Sequence, residues 1–452
     1  MKRKILLINP WIYDFAAYDF WSKPLGLLYL ASMLRENGYN VWFIDCLNPR
    51  HPEMLRESRI KFPKRKLWGD GKYPKEEIAR PEPLRNIRRR YSRYGITPQI
   101  FRNDLLRSGK PDLVLVTSMM TYWYPGVFET IEIVRQAIPG VPIVLGGNYA
   151  TLCTEHARRY SGADLIITGE GERKLPEIIK EFFDDDLGFI PDIGNLDSYP
   201  YPAFDLLFHL DQVPLMTSRG CPFRCSYCAS HILNNGFRVR DPIKVVDEIE
   251  FWHKNFNVTN FSFYDDALLF DAEERAVPML REIIRRKIGC SFHCPNGLHI
   301  RGINEEVSTL MFRAGFRTIR FGLETAQAVR QRETGGKVTN EETSEAIRHL
   351  KHAGYKTDEI GMYLLCGLPY QTFEEVRDSI NFVKFCGARP VITEFSPIPG
   401  TDIWNDAVKC SPFPIAEEPL FHNNTLIPCR WEGLTYDMYR KLIKLARSKD
   451  GG

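Results

Sequence analysis

Two series of strand-like apolar runs, each alternating with helical stretches, restrict this chain to parallel α/β architecture. The first series is Ile5 to Asn9, Val41 to Asp45, Leu113 to Ser118, Ile143 to Gly147 and Leu165 to Gly169. Between these runs, Leu25 to Glu36 and Val127 to Ala137 carry helical spacing, with Gly38 and Gly140 as stops. This pattern predicts a doubly wound parallel Rossmann-like sheet. A segment rich in Pro, Gly and Asp, Gly188 to Pro202, then interrupts the alternation. The second series is Leu215 to Ser218, Asn260 to Tyr264, Ser291 to Pro295, Thr318 to Glu324, Gly361 to Gly367 and Val391 to Ser396. Six such units predict a partial (β/α)6 barrel of the TIM type. The resulting division is 1–195 for the front domain, 196–212 for a linker, 213–401 for the barrel and 402–452 for a small C-terminal extension.

A chain of 452 residues is long enough for two or three cores. Its formal charge of +3 is small for that size and points to neither a nucleic-acid partner nor an acidic surface. The insertion at 48–111 is basic, with Lys64-Arg65-Lys66 and Arg88-Arg89-Arg90, and is read as a solvated element on a helix face. Trp68, Tyr73, Tyr91 and Tyr94 within it imply that it packs against something. No signal peptide is read at the start, and the longest apolar stretch is half a membrane span, so the expected location is the cytoplasm. The 11 cysteines are an odd number, scattered along the chain, and read as thiols or metal ligands rather than a disulfide scaffold.

Three of them are concentrated. Arg219-Gly220-Cys221-Pro222-Phe223-Arg224-Cys225-Ser226-Tyr227-Cys228 sets three thiols on one short loop directly after the first barrel strand. Three thiolates on one loop can wrap an iron-sulfur cube and leave its fourth iron open. A zinc site completed by His231 is the alternative reading of the same residues. Along Thr318 to Glu324 the polar Thr318, Arg320, Gly322 and Glu324 share one face, opposite Ile319, Phe321 and Leu323. An inward Arg and Glu suit a chamber that holds a charged ligand.

The cysteine spacing resembles the hallmark of the radical S-adenosylmethionine (SAM) superfamily. That resemblance implies a 4Fe-4S cluster on Cys221, Cys225 and Cys228, whose open iron chelates SAM, and reductive cleavage to a 5'-deoxyadenosyl radical. It also implies SAM contacts from Tyr227, which matches the aromatic that packs on adenine, and from Glu324 in Phe-Gly-Leu-Glu-Thr. Asp265 or Asp266 would hold the methionyl amine, with Arg320 in the chamber and Gly367 in the turn Gly367-Leu368-Pro369. An acidic pair at a strand end also serves as a helix cap.

The front sheet resembles the cobalamin-binding domain that precedes the barrel in one branch of that superfamily. The residues that carry this likeness lie at or after strand ends: Gly26, Thr117 and Ser118, Gly146 and Gly147, and Gly169, Glu170 and Gly171. Glycines there let a bulky ligand approach the backbone, and Ser118 could hydrogen-bond its tail. Many cobalamin proteins carry Asp-x-His-x-x-Gly after the second strand; here the stretch is Asp45-Cys46-Leu47-Asn48-Pro49-Arg50, and Leu47 cannot coordinate cobalt. Either the corrin binds without a protein His, as the resemblance implies, or this domain has lost the ligand.

These likenesses imply a cobalamin-dependent radical SAM enzyme that methylates an unactivated carbon. Its cofactors would be the 4Fe-4S cluster, SAM and cobalamin, and its partners a small-molecule substrate and a one-electron donor such as flavodoxin or ferredoxin. A monomer with no membrane or nucleic-acid partner is expected. Radical rearrangement or cyclisation on the same scaffold, and a cobalamin or redox sensor without turnover, are the alternatives. Cys290 and Cys294 are spaced like the first two cluster cysteines but flank a strand with no third partner, and read as buried thiols.

Overall fold

The computed structural model describes residues 3–56 and 62–448. The chain divides into two compact units, Met1–Asp211 and Gln212–Gly452. In the first unit, strands β1 (Lys4–Asn9), β2 (Asn40–Asp45), β3 (Leu113–Val116), β4 (Ile143–Leu145) and β5 (Leu165–Ile166) form one parallel sheet in the order β2-β1-β3-β4-β5. Ile5, Leu6, Leu7 and Ile8 are completely buried, which is what a strand covered on both faces requires. Helices Leu25–Glu36 and Gly171–Phe183 cover one face through Leu27, Ala31, Leu34, Leu175 and Ile179. The order reverses between β1 and β3, and that switch point is where a doubly wound sheet opens a crevice at its carboxyl ends.

The basic insertion is not a solvated helix face. Lys75–Ile78 and Tyr91–Tyr94 join Ile12–Asp14 in a small antiparallel sheet, and Gly71–Lys72 pairs with Tyr18–Asp19. Its cations are matched by acids: Arg65 pairs with Asp19, Lys66 with Asp70, Arg85 with Glu82 and Arg93 with Glu76. Tyr73, Tyr91 and Tyr94 are buried. The insertion thus has a hydrophobic footing, and these pairings offset much of the charge visible in the sequence.

In the second unit β6 (Gln212–Leu215), β7 (Asn260–Phe263), β8 (Ser291–Leu298), β9 (Phe316–Glu324), β10 (Ile360–Cys366) and β11 (Arg389–Glu394) lie parallel in sequential order. The intervening helices begin on side-chain caps, as at Asp241, Asn304, Thr339 with its capping box to Glu342, and Thr372. The first strand ends at Leu215 rather than Ser218. Thr217 and Ser218 bond instead to a buried carboxylate, and Ser218–Arg219 pairs antiparallel with Arg238–Val239. The extension beyond Asp402 is fastened to the barrel's last elements. Tyr439 in helix Tyr436–Arg447 donates to Glu394, Trp431 Nε1 to the Gln371 carbonyl at 2.8 Å, and Lys384 to the Leu445 carbonyl at 2.7 Å.

Across β7, β8 and β9, Phe263, Phe292 and Phe316 stack at ring-centroid spacings of 5.3 to 5.9 Å, each at most 1% exposed. Phe316→Ala should remove about 3–5 kcal/mol of stability. Urea unfolding should show it as a lower denaturation midpoint for the Gln212–Gly452 unit.

Candidate cluster and cofactor sites

Glycine governs the entrance to the cysteine loop. Gly220 has φ +78°, and a Cβ there would stand 2.2 Å from the Gly236 carbonyl oxygen, so no larger residue can turn the chain into Cys221. A second glycine lies against the loop itself: a Cβ on Gly335 would stand 3.2 Å from Cys225 Sγ. Burial pushes the Cys221 thiol up to about 11 and raises Cys225 and Cys228 as well. Among the described residues no three His, Cys, Asp or Glu side chains converge on one metal ion. The three thiols act on one another electrostatically without sharing a mononuclear centre, and as a donor set they fit an iron-sulfur cube.

The paired acids after β7 have separate roles. Asp265, 3% exposed, accepts from Thr217 N at 2.9 Å, Thr217 Oγ1 at 2.7 Å and Ser218 Oγ at 2.7 Å. Its oxygens are satisfied within the protein by Thr217 and Ser218. Asp266 accepts from Ser230 Oγ at 2.5 Å and acts electrostatically on Cys221 and Cys228. Burial raises both carboxyls.

Glu324 ends β9 with φ +67°, a left-handed conformation that is strained for a residue with a side chain. Its carboxylate pairs with Lys337 Nζ at 2.5 Å, and the same ammonium donates to Tyr227 Oη at 3.1 Å. Tyr227 and Glu324 are joined by a lysine that the motif reading did not name. Gly335-Gly336 immediately before Lys337 is the sequence signal that could have pointed to it. Arg320 goes elsewhere: its Nη1 donates to the carbonyls of Ile319 and Glu359, toward the start of β10 and away from Glu324. Gly367 has φ +94° and closes β10 in a turn, where Gln371 Oε1 accepts its N–H at 2.8 Å.

An aromatic clamp supports the loop. His299 stacks on Phe223 with centroids 4.2 Å apart, and Phe270 meets the same ring edge-on at 5.7 Å. Cys290 and Cys294 are buried separately, with Cys290 Sγ beside His253 and the Val258 carbonyl.

In the first unit, the predicted segments gather at the carboxyl end of the sheet with unequal roles. Gly147, φ +95°, lies so close to Ser118 that a Cβ would stand 2.2 Å from its carbonyl oxygen. Ser118 Oγ donates to the Gly146 carbonyl at 2.6 Å and accepts from Ala150 N at 3.3 Å, so its hydroxyl braces the loop. Glu170 pairs with Arg173, and Gly171 lets its helix settle on Leu30. Gly26 and Gly169 have open space beside their Cα atoms, and Thr117, half-buried, follows β3 directly. Leu47 is buried, and His51 nearby is engaged at both ring nitrogens by Asp104 and Glu53 N.

Comparison with known proteins agrees with both units. Residues 215–383 match the family model of the Radical SAM superfamily, and residues 99–179 that of the B12 binding domain. The chain thus carries a radical SAM domain and, ahead of it in sequence, a B12-binding domain. An uncharacterized methyltransferase of Pyrococcus horikoshii is 26% identical over 442 residues, covering 92% of this chain and 82% of that protein. Cytidylyl-2-hydroxyethylphosphonate methyltransferase of Streptomyces wedmorensis is 22% identical, with 95% and 87% covered. The anaerobic magnesium-protoporphyrin IX monomethyl ester cyclase of Cereibacter sphaeroides is 26% identical over 61% of this chain and 50% of its own length. Among solved structures, the radical SAM methyltransferase TsrM from Kitasatospora setae, with cobalamin and a [4Fe-4S] cluster bound, has a TM-score of 0.66 at 17% identity. It covers 90% of this chain and 78% of its own, a likeness of fold. Among the described residues no helix is long and apolar enough to cross a membrane.

Burial, with the Lys337 and Arg301 cations nearby, holds the His299 imidazole down at about 3 against an ordinary 6.5. Its folded pKa is depressed, so the stability it contributes is complete above pH 6.5 and is lost as pH falls toward 3. The slope should approach about 1.4 kcal/mol per pH unit in that window. Denaturant unfolding between pH 7 and pH 4 should show a shallower loss in His299→Phe, which keeps the stack without the titrating nitrogen.

Proposed function

We propose that this chain is a cobalamin-dependent radical SAM methyltransferase acting on an unactivated carbon of a small molecule. The observation that carries the reading is the loop with Cys221, Cys225 and Cys228, set beside an acid and base assembly of Glu324, Lys337 and Tyr227 at the end of the barrel strands. When bound, the cluster supplies the electron for reductive cleavage of SAM, and cobalamin supplies the methyl group.

The protein's own residues would hold and orient. Cys221, Cys225 and Cys228 bind the three ligated irons, and Gly220 and Gly335 let the loop take the required path. Tyr227, whose hydroxyl is fixed by Lys337, presents its ring to the adenine, while Glu324 and Asp266 provide anionic contacts for the polar groups of SAM. Gly367 closes the strand beside them. In the front unit, Gly26, Thr117 and Gly169 leave room for the corrin, and Gly146-Gly147 shapes the loop that Ser118 braces. The substrate is a small molecule, in keeping with the related cytidylyl-2-hydroxyethylphosphonate methyltransferase and with TsrM, which has been solved with tryptophan bound. A one-electron donor of the flavodoxin or ferredoxin kind is required by the chemistry. Methyl transfer is preferred to cyclisation because relatives named as methyltransferases cover 92% and 95% of this chain, against 61% for the cyclase.

Anaerobic incubation with dithionite and SAM should yield 5'-deoxyadenosine, and Cys225→Ala should reduce it to the uncatalysed background. With substrate present, methyl-labelled SAM should give S-adenosylhomocysteine and 5'-deoxyadenosine together. Reductive cleavage without S-adenosylhomocysteine during turnover would contradict methylation, and corrin binding without any cleavage would favour a sensor.

A further inference from the structure

Three backbone arrangements converge on one ammonium. Gly322 leaves space that a Cβ would fill 2.7 Å from Lys337 Nζ and 2.5 Å from Glu324 Oε1. Glu324 takes its strained positive φ at the point where its carboxylate reaches Lys337. Gly335, two residues before Lys337, has φ +126° and lets that segment lie close on Cys225, where a Cβ would stand 3.2 Å from Sγ. A surface ion pair needs none of this, and exposed pairs contribute little. Here the two side chains are 14% and 11% exposed.

The ammonium also faces the cysteine loop. Burial works against the charged form of Lys337, yet the Glu324 carboxylate and the sulfurs of Cys225 and Cys228 outweigh it and hold its pKa above the ordinary lysine value. The geometry agrees: Lys337 Nζ bonds Tyr227 Oη, next to Cys228 in the chain, and Gly335 sets its segment against Cys225. A cluster on three thiolates is anionic, and reduction by one electron makes it more so without forming or breaking a bond. A fixed cation in a poorly solvated site stabilises the reduced form more than the oxidised form.

We infer that Lys337 is a positioning residue for the cluster, whose ammonium raises the cluster's reduction potential while Glu324 serves as its counter-ion. The inference rests on the reading that Cys221, Cys225 and Cys228 bind a 4Fe-4S cluster. Lys337→Met would withdraw the cation and leave the Glu324 carboxylate uncompensated, and both changes make reduction harder. Lys337→Arg keeps the charge. Lys337→Met combined with Glu324→Gln removes both charges and should recover part of the shift.

The test is an anaerobic redox titration of the full chain with dithionite, without SAM, followed by electron paramagnetic resonance, with iron and sulfide assayed in each variant. Lys337→Met should retain its iron and titrate at a more negative midpoint, Lys337→Arg should return near the native value, and the double variant should fall between Lys337→Met and native. A cluster-loaded Lys337→Met with an unchanged midpoint would overturn the inference. So would loss of iron in Lys337→Arg as well as Lys337→Met, because charge would then not be what matters. Absence of iron and sulfide from the native protein would instead refute the cluster reading on which the inference stands.

Discussion

The Asp265 carboxylate, buried at the end of β7, is the interaction on which the placement of the cysteine loop depends. It takes the Thr217 amide, the Thr217 hydroxyl and the Ser218 hydroxyl at once, and so stops β6 at Leu215 and bends the chain toward Gly220. A buried carboxylate without such donors would cost several kcal/mol, so the bend and the acid require each other. The loop then has only one way forward, past the Gly236 carbonyl, and its thiols emerge at the carboxyl end of the strands. That is the end at which parallel barrels place their chemistry.

Charge organises the rest of this region. Asp266 and Glu324 are the acids of this buried mouth, the three cysteine sulfurs become anionic only as cluster ligands, and Lys337 is a cation set among them. Its contact with Tyr227 Oη ties that charge to the ring beside Cys228. The aromatic clamp of His299 and Phe270 on Phe223 is a different kind of support, held by stacking and needing no charge. One part of the site therefore depends on electrostatics and another on packing, which makes the two separable by substitution.

The strands were legible because buried parallel strands read as continuous apolar runs, and Ile5 to Ile8 and Ile360 to Cys366 leave little ambiguity. The cysteine loop was legible because its spacing is local. Contacts made across the fold were not. Asp265-Asp266 shows two acids but not that Thr217 and Ser218, some forty-seven residues earlier, occupy one of them. Period-two alternation placed Arg320 with Glu324, but its side chain is long enough to run back along the strand to carbonyls at the other end. The basic run at 64–66 looked uncompensated because Asp19, which pairs with Arg65, lies some forty-six residues earlier and meets it only in the fold. Lys337 was hidden in a polar stretch where only the two preceding glycines hinted at a close approach.

The central claim is a cube held by three thiols with one iron left open. The most direct measurement is the electron paramagnetic resonance spectrum of the reduced, oxygen-protected protein, before and after SAM is added. The account predicts a 4Fe-4S signal whose g-values change on addition, because SAM takes the vacant iron. A spectrum indifferent to SAM, or a protein that carries zinc in place of iron and sulfide, would contradict it.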